Sequence, residues 1–240
     1  LLAPETTPLQ RSKVQSILGQ VFGTADSDVW QERRTQAIDV SQTEGEMLAL
    51  QPKVTVYGEL GLEALATVLD AVGVQKGDQF LDIGSGDGIL VAAAALLYPQ
   101  HLKAARGVEI LPTLHQRSLT FQQKLRQSVF ASTNTDATSD EASGSVGAPL
   151  CCCPTELYEG NVHAPDDQLL KQDVFGETTL AVCFATAWAS GVPGRMLPEL
   201  SRSLGVGGAS ELPVNARMIV IDGRLCDKDG FRYEGELKLD

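Results

Sequence analysis

The sequence predicts an α/β fold in which a mainly parallel sheet is flanked by helices. Short apolar strands alternate with helical patterns between residues 79 and 130, and this alternation is typical of a parallel sheet. A glycine-rich turn joins the first of these strands to its helix. With 240 residues, 43% of them hydrophobic, the chain can bury the core of one such domain.

The first 50 residues predict a helical cap that precedes a main domain of residues 51–240. Apolar residues fall at helical spacing in its first half, namely at Val14, Ile17, Leu18 and Val21. A second helix, richer in polar residues, is predicted over residues 27–38.

The next segment leads into the sheet. Residues 52–57 are rich in β-branched side chains and are predicted to be extended, and residues 60–72 carry one apolar face, as an amphipathic helix does. Strand, helix, strand and helix then follow in that order, over residues 79–83, 89–97, 104–109 and 113–130.

Composition changes sharply after the long helix. Residues 131–149 are mostly Ser, Thr, Asp, Gly and Ala, so they cannot offset their ordering entropy, and we predict a disordered insertion. Strands are predicted over residues 157–162, 179–184, 217–222 and 231–239, with a helix over residues 194–204. The turn-rich residues 227–230 predict that the last two strands form an antiparallel hairpin.

Charge and composition narrow the class of function. The net charge of −12 repels polyanions, so direct binding of nucleic acid is not expected, whereas a basic protein partner fits. No apolar run approaches the roughly 18–20 residues that cross a bilayer, so we expect a soluble, intracellular protein. Neither the three histidines nor the five cysteines show metal-ligand spacing, so no metal site is predicted.

A candidate cofactor site begins where residues 79–88 read QFLDIGSGDG. Only glycine allows so sharp a turn while a ligand lies against the backbone, so Gly84, Gly86 and Gly88 would form the floor of a nucleotide-sized pocket. Glu109 ends the next apolar strand, where a carboxylate can accept hydrogen bonds from both ribose hydroxyls of an adenosine.

Two further acids distinguish between possible cofactors. Asp82 precedes the turn and Asp87 lies within it, and carboxylates there would repel the pyrophosphate of a dinucleotide. They suit a cofactor that carries a positive amino group and a sulfonium, as S-adenosylmethionine does. A dinucleotide site and a purely structural turn remain alternatives.

The pattern DIGSGDG followed by GVEI resembles class I S-adenosylmethionine-dependent methyltransferases. The upstream segment Val56-Tyr-Gly-Glu-Leu60 narrows the match, because a Y-G-E loop ahead of the turn resembles the disruptor-of-telomeric-silencing (DOT) family of histone lysine methyltransferases. The resemblance implies a Rossmann-like fold with a twisted, mainly parallel seven-stranded sheet and a helical N-terminal cap.

The resemblance also implies roles for individual residues. The Y-G-E loop would line the methionine end of the cofactor, residues 82–88 would wrap it, Glu109 would hold the ribose and Asn161 would meet the adenine. The cofactor-binding residues are then Tyr57, Gly58, Glu59, Asp82, Gly84, Ser85, Gly86, Asp87, Gly88, Glu109 and Asn161.

The acceptor end is expected after the strand at residues 179–184. Phe184 and Trp188 would wall a channel for a lysine side chain, and Thr186 would bond the incoming amine. The DOT family has an Asn-rich stretch here, whereas this chain has Ala185 and Thr186. Four hypotheses therefore remain: a histone-like lysine methyltransferase, which would act in the nucleus; a methyltransferase of a small molecule or non-histone protein; a non-catalytic S-adenosylmethionine-binding module; and a nicotinamide-dependent oxidoreductase.

Overall fold

A computed structural model gives the fold of the protein. It describes residues 2–50, 57–135, 151–165, 168–185 and 195–238, with only the backbone described for residues 132–135. The helices are α1 (Pro8–Phe22), α2 (Asp28–Met47), α3 (Leu62–Val72), α4 (Ile89–Leu97), α5 (Pro112–Thr135) and α6 (Pro198–Leu204). A π-helical turn (Leu170–Phe175) and a 3-10 turn (Asp227–Asp229) are the other helical elements of these described residues.

The described part of the chain contains one five-stranded sheet and one two-stranded ladder. The strands are β1 (Asp78–Ile83), β2 (Leu102–Glu109), β3 (Thr155–Glu159), β4 (Leu180–Phe184), β5 (Arg195–Met196), β6 (Arg217–Ile221) and β7 (Gly223–Arg224). The large sheet has the order β3-β2-β1-β4-β6, and all of its pairs are parallel. The predicted α/β fold with a mainly parallel sheet is therefore confirmed.

The central strands of the sheet are buried on both faces: all six residues of β1 and four of the five residues of β4 are buried. Phe80 and Val182 point into a core formed with α1, α3 and α4. The alternate residues, Leu81 and Cys183 among them, point to the opposite face, against α6 and the π-helical turn. Helices therefore cover the sheet on two sides, as a parallel sheet requires.

The N-terminal helices start and stop at recognisable capping residues. Thr7 accepts a hydrogen bond from the Gln10 amide at the start of α1, and Ser27 does the same for Trp30 at the start of α2. The predicted apolar face of α1 is buried against the main domain. On α2 the buried residues recur every fourth position, at Arg33, Ala37, Ser41 and Gly45.

The strand count and the C-terminal hairpin were predicted wrongly. The main sheet has five strands rather than the seven that the resemblance implies. Residues 231–238 form no strand, although apolar and polar residues alternate over much of this segment. Tyr233 and Leu237 are about half exposed, so this segment offers no apolar face for a sheet to bury.

Several element boundaries also differ. Helix α2 continues to Met47 and α5 to Thr135, so the first residues of the predicted insertion are helical. Helix α6 starts only at Pro198, because proline is favoured in the first turn and Leu197 is held by a hydrogen bond to Arg224. The rest of the predicted insertion, and the extended segment except Tyr57, lie outside the described residues.

Phe80→Ala tests the core of the central strand. The Phe80 side chain is fully buried in β1, so its removal should lower the free energy of unfolding by about 3–5 kcal/mol. Val214→Ala, at a side chain that is 87% exposed, is the control and should change it by less than about 0.5 kcal/mol. Both values come from urea unfolding; a loss below about 1 kcal/mol for Phe80→Ala would contradict this core.

Candidate functional site

The glycine-rich turn connects β1 to α4 through three residues with left-handed backbone. Gly84, Gly86 and Gly88 have φ angles of 80°, 52° and 83°, which other residues adopt only with strain. The carbonyl of Val108 accepts hydrogen bonds from the amides of both Gly84 and Ser85, at 2.9 and 3.1 Å. The turn is therefore held against the end of β2.

The turn lies at the carboxyl edge of the sheet, at the point where the strand order reverses. From β1 the chain continues to β2 and β3 on one side, whereas β4 and β6 lie on the other. Ligands of open α/β sheets bind in the crevice at this position. Glu109 ends β2 and Phe184 ends β4, so residues of the two strands that flank β1 end at this edge.

Asp82 is buried at this edge without a hydrogen-bond partner among the residues that the structure describes. Asp82 is the second-last residue of β1, close to the glycine-rich turn, and it is 2% exposed. Burial, together with the charge of the nearby Glu109, raises the pKa of Asp82 to about 8. A cationic ligand group would supply the partner that this carboxyl lacks.

Glu109 is buried as well, but backbone amides donate hydrogen bonds to its carboxylate. Its carboxylate accepts hydrogen bonds from the amides of Gly86 (2.7 Å) and Leu111 (2.9 Å). Burial raises the pKa of Glu109, and these backbone amides act in the opposite direction. Each carboxylate oxygen keeps a second lone pair, so the group can still accept ribose hydroxyls.

Asp87 faces the helical cap instead of the crevice. Arg33 of α2 donates to its Oδ2 at 2.9 Å, and the Arg117 Nε of α5 lies 3.0 Å from its Oδ1. Burial raises the pKa of Asp87, while the two guanidinium groups work against that shift. This carboxylate is thus occupied by protein cations.

The loop of Tyr57, Gly58 and Glu59 packs directly on the turn. A Cβ on Gly86 would lie only 2.8 Å from Cε2 of the Tyr57 ring, and a Cβ on Gly58 would overlap the Phe184 ring. Both positions therefore require glycine, because an aromatic ring lies too close to leave room for a side chain. The Tyr57 hydroxyl donates to Glu59, whose carboxylate receives Arg33 in a two-pronged ion pair.

Ser85 and Asn161 complete the crevice. Ser85 is buried against Gly107 of β2, where a Cβ would lie 2.7 Å from the serine Cβ. Asn161 follows β3, and its Oδ1 accepts the His163 amide at 2.9 Å. The neighbouring Gly160 amide bonds the Glu109 carbonyl at 2.8 Å, so this loop lies beside the Glu109 strand end.

The structure therefore brings most of the predicted site residues together. The loop of residues 57–59, the turn of residues 84–88, Asp82, Glu109, Asn161 and Phe184 are all at the carboxyl edge. Two predicted acceptor residues, Thr186 and Trp188, lie outside the described residues. The described side chains bring together no group of three or more potential metal ligands, and none of the described helices has the length and apolar character to cross a membrane.

The residues present fit S-adenosylmethionine. The unpartnered Asp82 carboxyl suits an amino group, and the Glu109 carboxylate suits ribose hydroxyls. A Cβ added to Gly84 would meet no atom within 4 Å, so the turn has open space beside it. By contrast, the amides of Gly84, Ser85, Gly86 and Gly88 all bond within the protein, which leaves them unavailable to a pyrophosphate.

Sequence reasoning missed Arg33 and Arg117, which hold Asp87. Arg33 lies on α2 in line with Ala37, Ser41 and Gly45, a stripe of small residues at four-residue spacing. That stripe indicates a helix packed closely along one face, and an arginine on it would have been a candidate for a buried charge. Nothing local marks Arg117, because its role depends on where α5 meets the turn.

Comparison with known families supports the resemblance. A family model described as "Histone methylation protein DOT1" matches residues 51–132, about a third of the chain. The match contains the Y-G-E loop, the turn and Glu109. A search of curated proteins found no match.

Several solved structures with a similar backbone fold are methyltransferases. The rRNA methyltransferase AviRa of Streptomyces viridochromogenes is 13% identical, with a TM-score of 0.46 over 68% of this chain and 74% of that one. A putative protein-L-isoaspartate O-methyltransferase of Plasmodium falciparum is 14% identical, with a TM-score of 0.39 over 88% and 83%. YjhP of E. coli is 14% identical, with a TM-score of 0.37 over 77% of this chain, which spans 55% of that protein.

Alanine substitutions in the turn should separate backbone strain from contact with the loop. Gly84→Ala introduces only the strain of a positive φ, about 1 kcal/mol, because its Cβ meets open space. Gly86→Ala adds a collision with the Tyr57 ring, so we expect it to be more destabilising by about 1–3 kcal/mol. Urea unfolding of the two variants measures this; equal losses would mean that Tyr57 does not rest on the turn.

Asp82→Asn should flatten the dependence of stability on pH. The folded pKa of about 8 exceeds the ordinary 3.8, so between these values the folded state binds more protons than the unfolded state. The free energy of unfolding should then fall as pH rises from about 4 to 8, by up to about 1.4 kcal/mol per pH unit from this one group.

Urea unfolding at several pH values compares the wild type with Asp82→Asn. The variant should show a shallower fall across this range and should be the more stable protein at pH 8. Asp26→Asn, which removes an exposed carboxyl, is the control for the loss of one charge. Parallel curves for wild type and Asp82→Asn would contradict the raised pKa.

Proposed function

We propose that the chain is an S-adenosylmethionine-dependent methyltransferase that acts on lysine side chains of a basic, histone-like protein. The observation that carries this proposal is the buried, unpartnered Asp82 beside Glu109, beneath a glycine turn on which the Tyr57 loop packs. The resemblance of residues 51–132 to the histone-methylating DOT1 family supports the same activity.

Each end of the cofactor has a candidate partner. Asp82 would ionise on meeting the amino group of the methionine end, since an opposite charge favours the charged form of a carboxyl. Glu109 would accept the ribose hydroxyls, and Asn161 would bond the adenine amino group. When bound, S-adenosylmethionine supplies an electrophilic methyl group, so the protein needs no nucleophile of its own.

The protein's tasks are then to align the acceptor and to exclude water from it. Phe184 ends β4 against Gly58, so an aromatic ring already adjoins the loop over the turn. With Trp188 it would wall an apolar channel that favours the neutral, dehydrated lysine amine, whose proton passes to solvent water before the amine enters. Thr186 would bond that amine at the mouth of the channel.

The charge of the chain supports a basic acceptor. With 31 acidic and 19 basic residues, the protein attracts cationic peptides and repels bare nucleic acid. A lysine-rich histone segment has the matching charge. On this proposal the protein would work in the nucleus, with the histone rather than the DNA as its contact.

Two other functions have specific support. Ala185 and Thr186 stand where the DOT family has an Asn-rich stretch, which favours a different acceptor, such as a small molecule or a non-histone protein. The Tyr57 ring on Gly86 and the Gly86 amide on Glu109 fill part of the crevice with the protein's own groups. That feature favours a module that binds the cofactor without catalysis.

Calorimetric titration with S-adenosylhomocysteine tests the cofactor. The wild type should bind it, and Asp82→Asn and Glu109→Gln should each weaken binding by about 10-fold or more, since each loses a charge-assisted hydrogen bond. Asp78→Asn is a matched control, because it removes a buried carboxylate at the opposite end of β1. NAD+ serves as the second ligand; tight binding of NAD+ but not of S-adenosylhomocysteine would overturn the proposal.

Transfer of a labelled methyl group to core histones tests the acceptor. Label should appear on histone lysines and should be lost when those lysines are acetylated beforehand, because an amide nitrogen cannot accept the methyl group. Thr186→Val should reduce turnover while leaving affinity for S-adenosylhomocysteine unchanged. Label on a small-molecule fraction alone would favour the second function, and cofactor binding without transfer to histones or cell extract would favour the third.

A further inference from the structure

Arg33 is a buried cation on a helix outside the cofactor motif. It lies on the inner face of α2, with only 4% of its side chain exposed. Arginine is almost never buried to this degree unless it is paired. Its Nε donates to the Phe22 carbonyl at 3.1 Å, which anchors the guanidinium at the end of α1.

The two terminal nitrogens of Arg33 hold the Y-G-E loop. They bond the two carboxylate oxygens of Glu59 at 2.5 and 2.9 Å, and one of them also donates to the Tyr57 hydroxyl at 3.1 Å. This is the planar, two-pronged geometry that a guanidinium offers and an ammonium group does not. The loop thus has its polar anchor on the helical cap.

The same guanidinium reaches the glycine turn. Arg33 and Arg117 both donate to Oδ2 of Asp87, at 2.9 and 3.0 Å. The cluster holds two guanidinium groups and two carboxylates, so its charges balance. Arg33 therefore links the two segments between which the methionine end of the cofactor would lie.

Helix α2 is itself fixed in place by α5. The Arg117 side chain donates to the Arg33 carbonyl at 2.9 Å, and Glu44 accepts the Thr113 amide at 3.1 Å. These contacts hold α2 at two points along its length. Because α2 cannot easily shift, the position of the Arg33 side chain is set by the packing of the cap.

We propose that Arg33 is a positioning residue, through which the helical cap holds the Tyr57–Glu59 loop at the spacing that the cofactor's amino acid end requires. This inference rests on the proposed function. Buried ion pairs contribute little net stability compared with apolar packing, whereas they restrict geometry. Arg33 thus acts through Glu59 and Asp87, without touching the cofactor itself.

The test compares two ligands on two variants. Arg33→Lys keeps the charge but cannot bond both oxygens of Glu59, and Arg33→Gln removes the charge. Arg34→Gln is the matched control, because Arg34 is the next residue on α2 and is exposed. The ligands are S-adenosylhomocysteine and 5′-methylthioadenosine, which lacks the amino acid end.

Arg33→Lys should weaken the binding of S-adenosylhomocysteine by about 10-fold, and Arg33→Gln should weaken it by up to about 100-fold. Small misplacements of binding groups have effects of this size. Affinity for 5′-methylthioadenosine should stay within about twofold of the wild type for Arg33→Lys. In transfer assays the KM for the cofactor should rise more than kcat falls. Titrations well below the unfolding temperature of each variant ensure that folded protein is compared.

Each outcome has a defined meaning. Equal losses for both ligands, or no loss in Arg33→Lys, would overturn the positioning role and leave Arg33 as a structural ion pair. If Arg33→Gln does not fold, Arg33→Lys still decides the question. If the wild type binds neither ligand, the proposed function fails and this inference fails with it, which distinguishes that result from a failure confined to the variants.

Discussion

Three carboxyl groups are buried within a single turn and the ends of two adjacent strands, and the cost of burying charge determines how this part of the molecule is built. Asp87 is neutralised by two arginines and Glu109 accepts backbone amides, whereas Asp82 has no hydrogen-bond partner within the described ranges and becomes hard to ionise. The arginines that bind Asp87 connect the glycine turn to α2 and α5, and the hydrogen bond from the Gly86 amide to Glu109 holds the turn against β2. Asp82 is left as a buried carboxyl without a partner among the described residues, and this carboxyl is the basis of our proposal that the edge of the sheet binds a cationic ligand group.

Much of the fold follows from local pattern. The short apolar strands, the glycine turn, the periodic apolar residues of α1 and the continuous apolar run of α4 each predict their own element. The errors in predicting strands and helix ends arise where the sequence pattern does not match what is buried in the structure. Residues 231–238 alternate as a strand does, yet only Phe231 packs partly against the core, while Tyr233 and Leu237 stay about half exposed. Helix α2 extends further than its polar sequence indicates because Ala37, Ser41 and Gly45 let it pack closely.

The site is predictable only as far as its parts are local. The glycines, Asp82 and Glu109 lie on one strand–turn–helix–strand unit, so their spacing in the sequence implies their meeting in space. Asp87 belongs to the same unit, but its direction is decided by Arg33 and Arg117, which come from two other helices. A contact between distant segments does not show its partners in a single sequence: the small-residue stripe of α2 marks Arg33 as a candidate for a buried charge, but not what it binds. The Tyr57 loop was assigned to the site by its resemblance to the DOT family, whereas its anchor on the cap could not be predicted.

The order of strands in the sheet also has a consequence for how the chain is made. The central strand β1 pairs on one side with β4, and Phe80 is opposite Leu180, a hundred residues further along. During synthesis from the N-terminus, β1 therefore emerges long before its second neighbour exists, with a row of unpaired backbone groups along a strand that is fully buried in the folded protein. Such distant pairing makes folding slow. A nascent chain of this protein should therefore depend on chaperones to shield that edge until β4 leaves the ribosome.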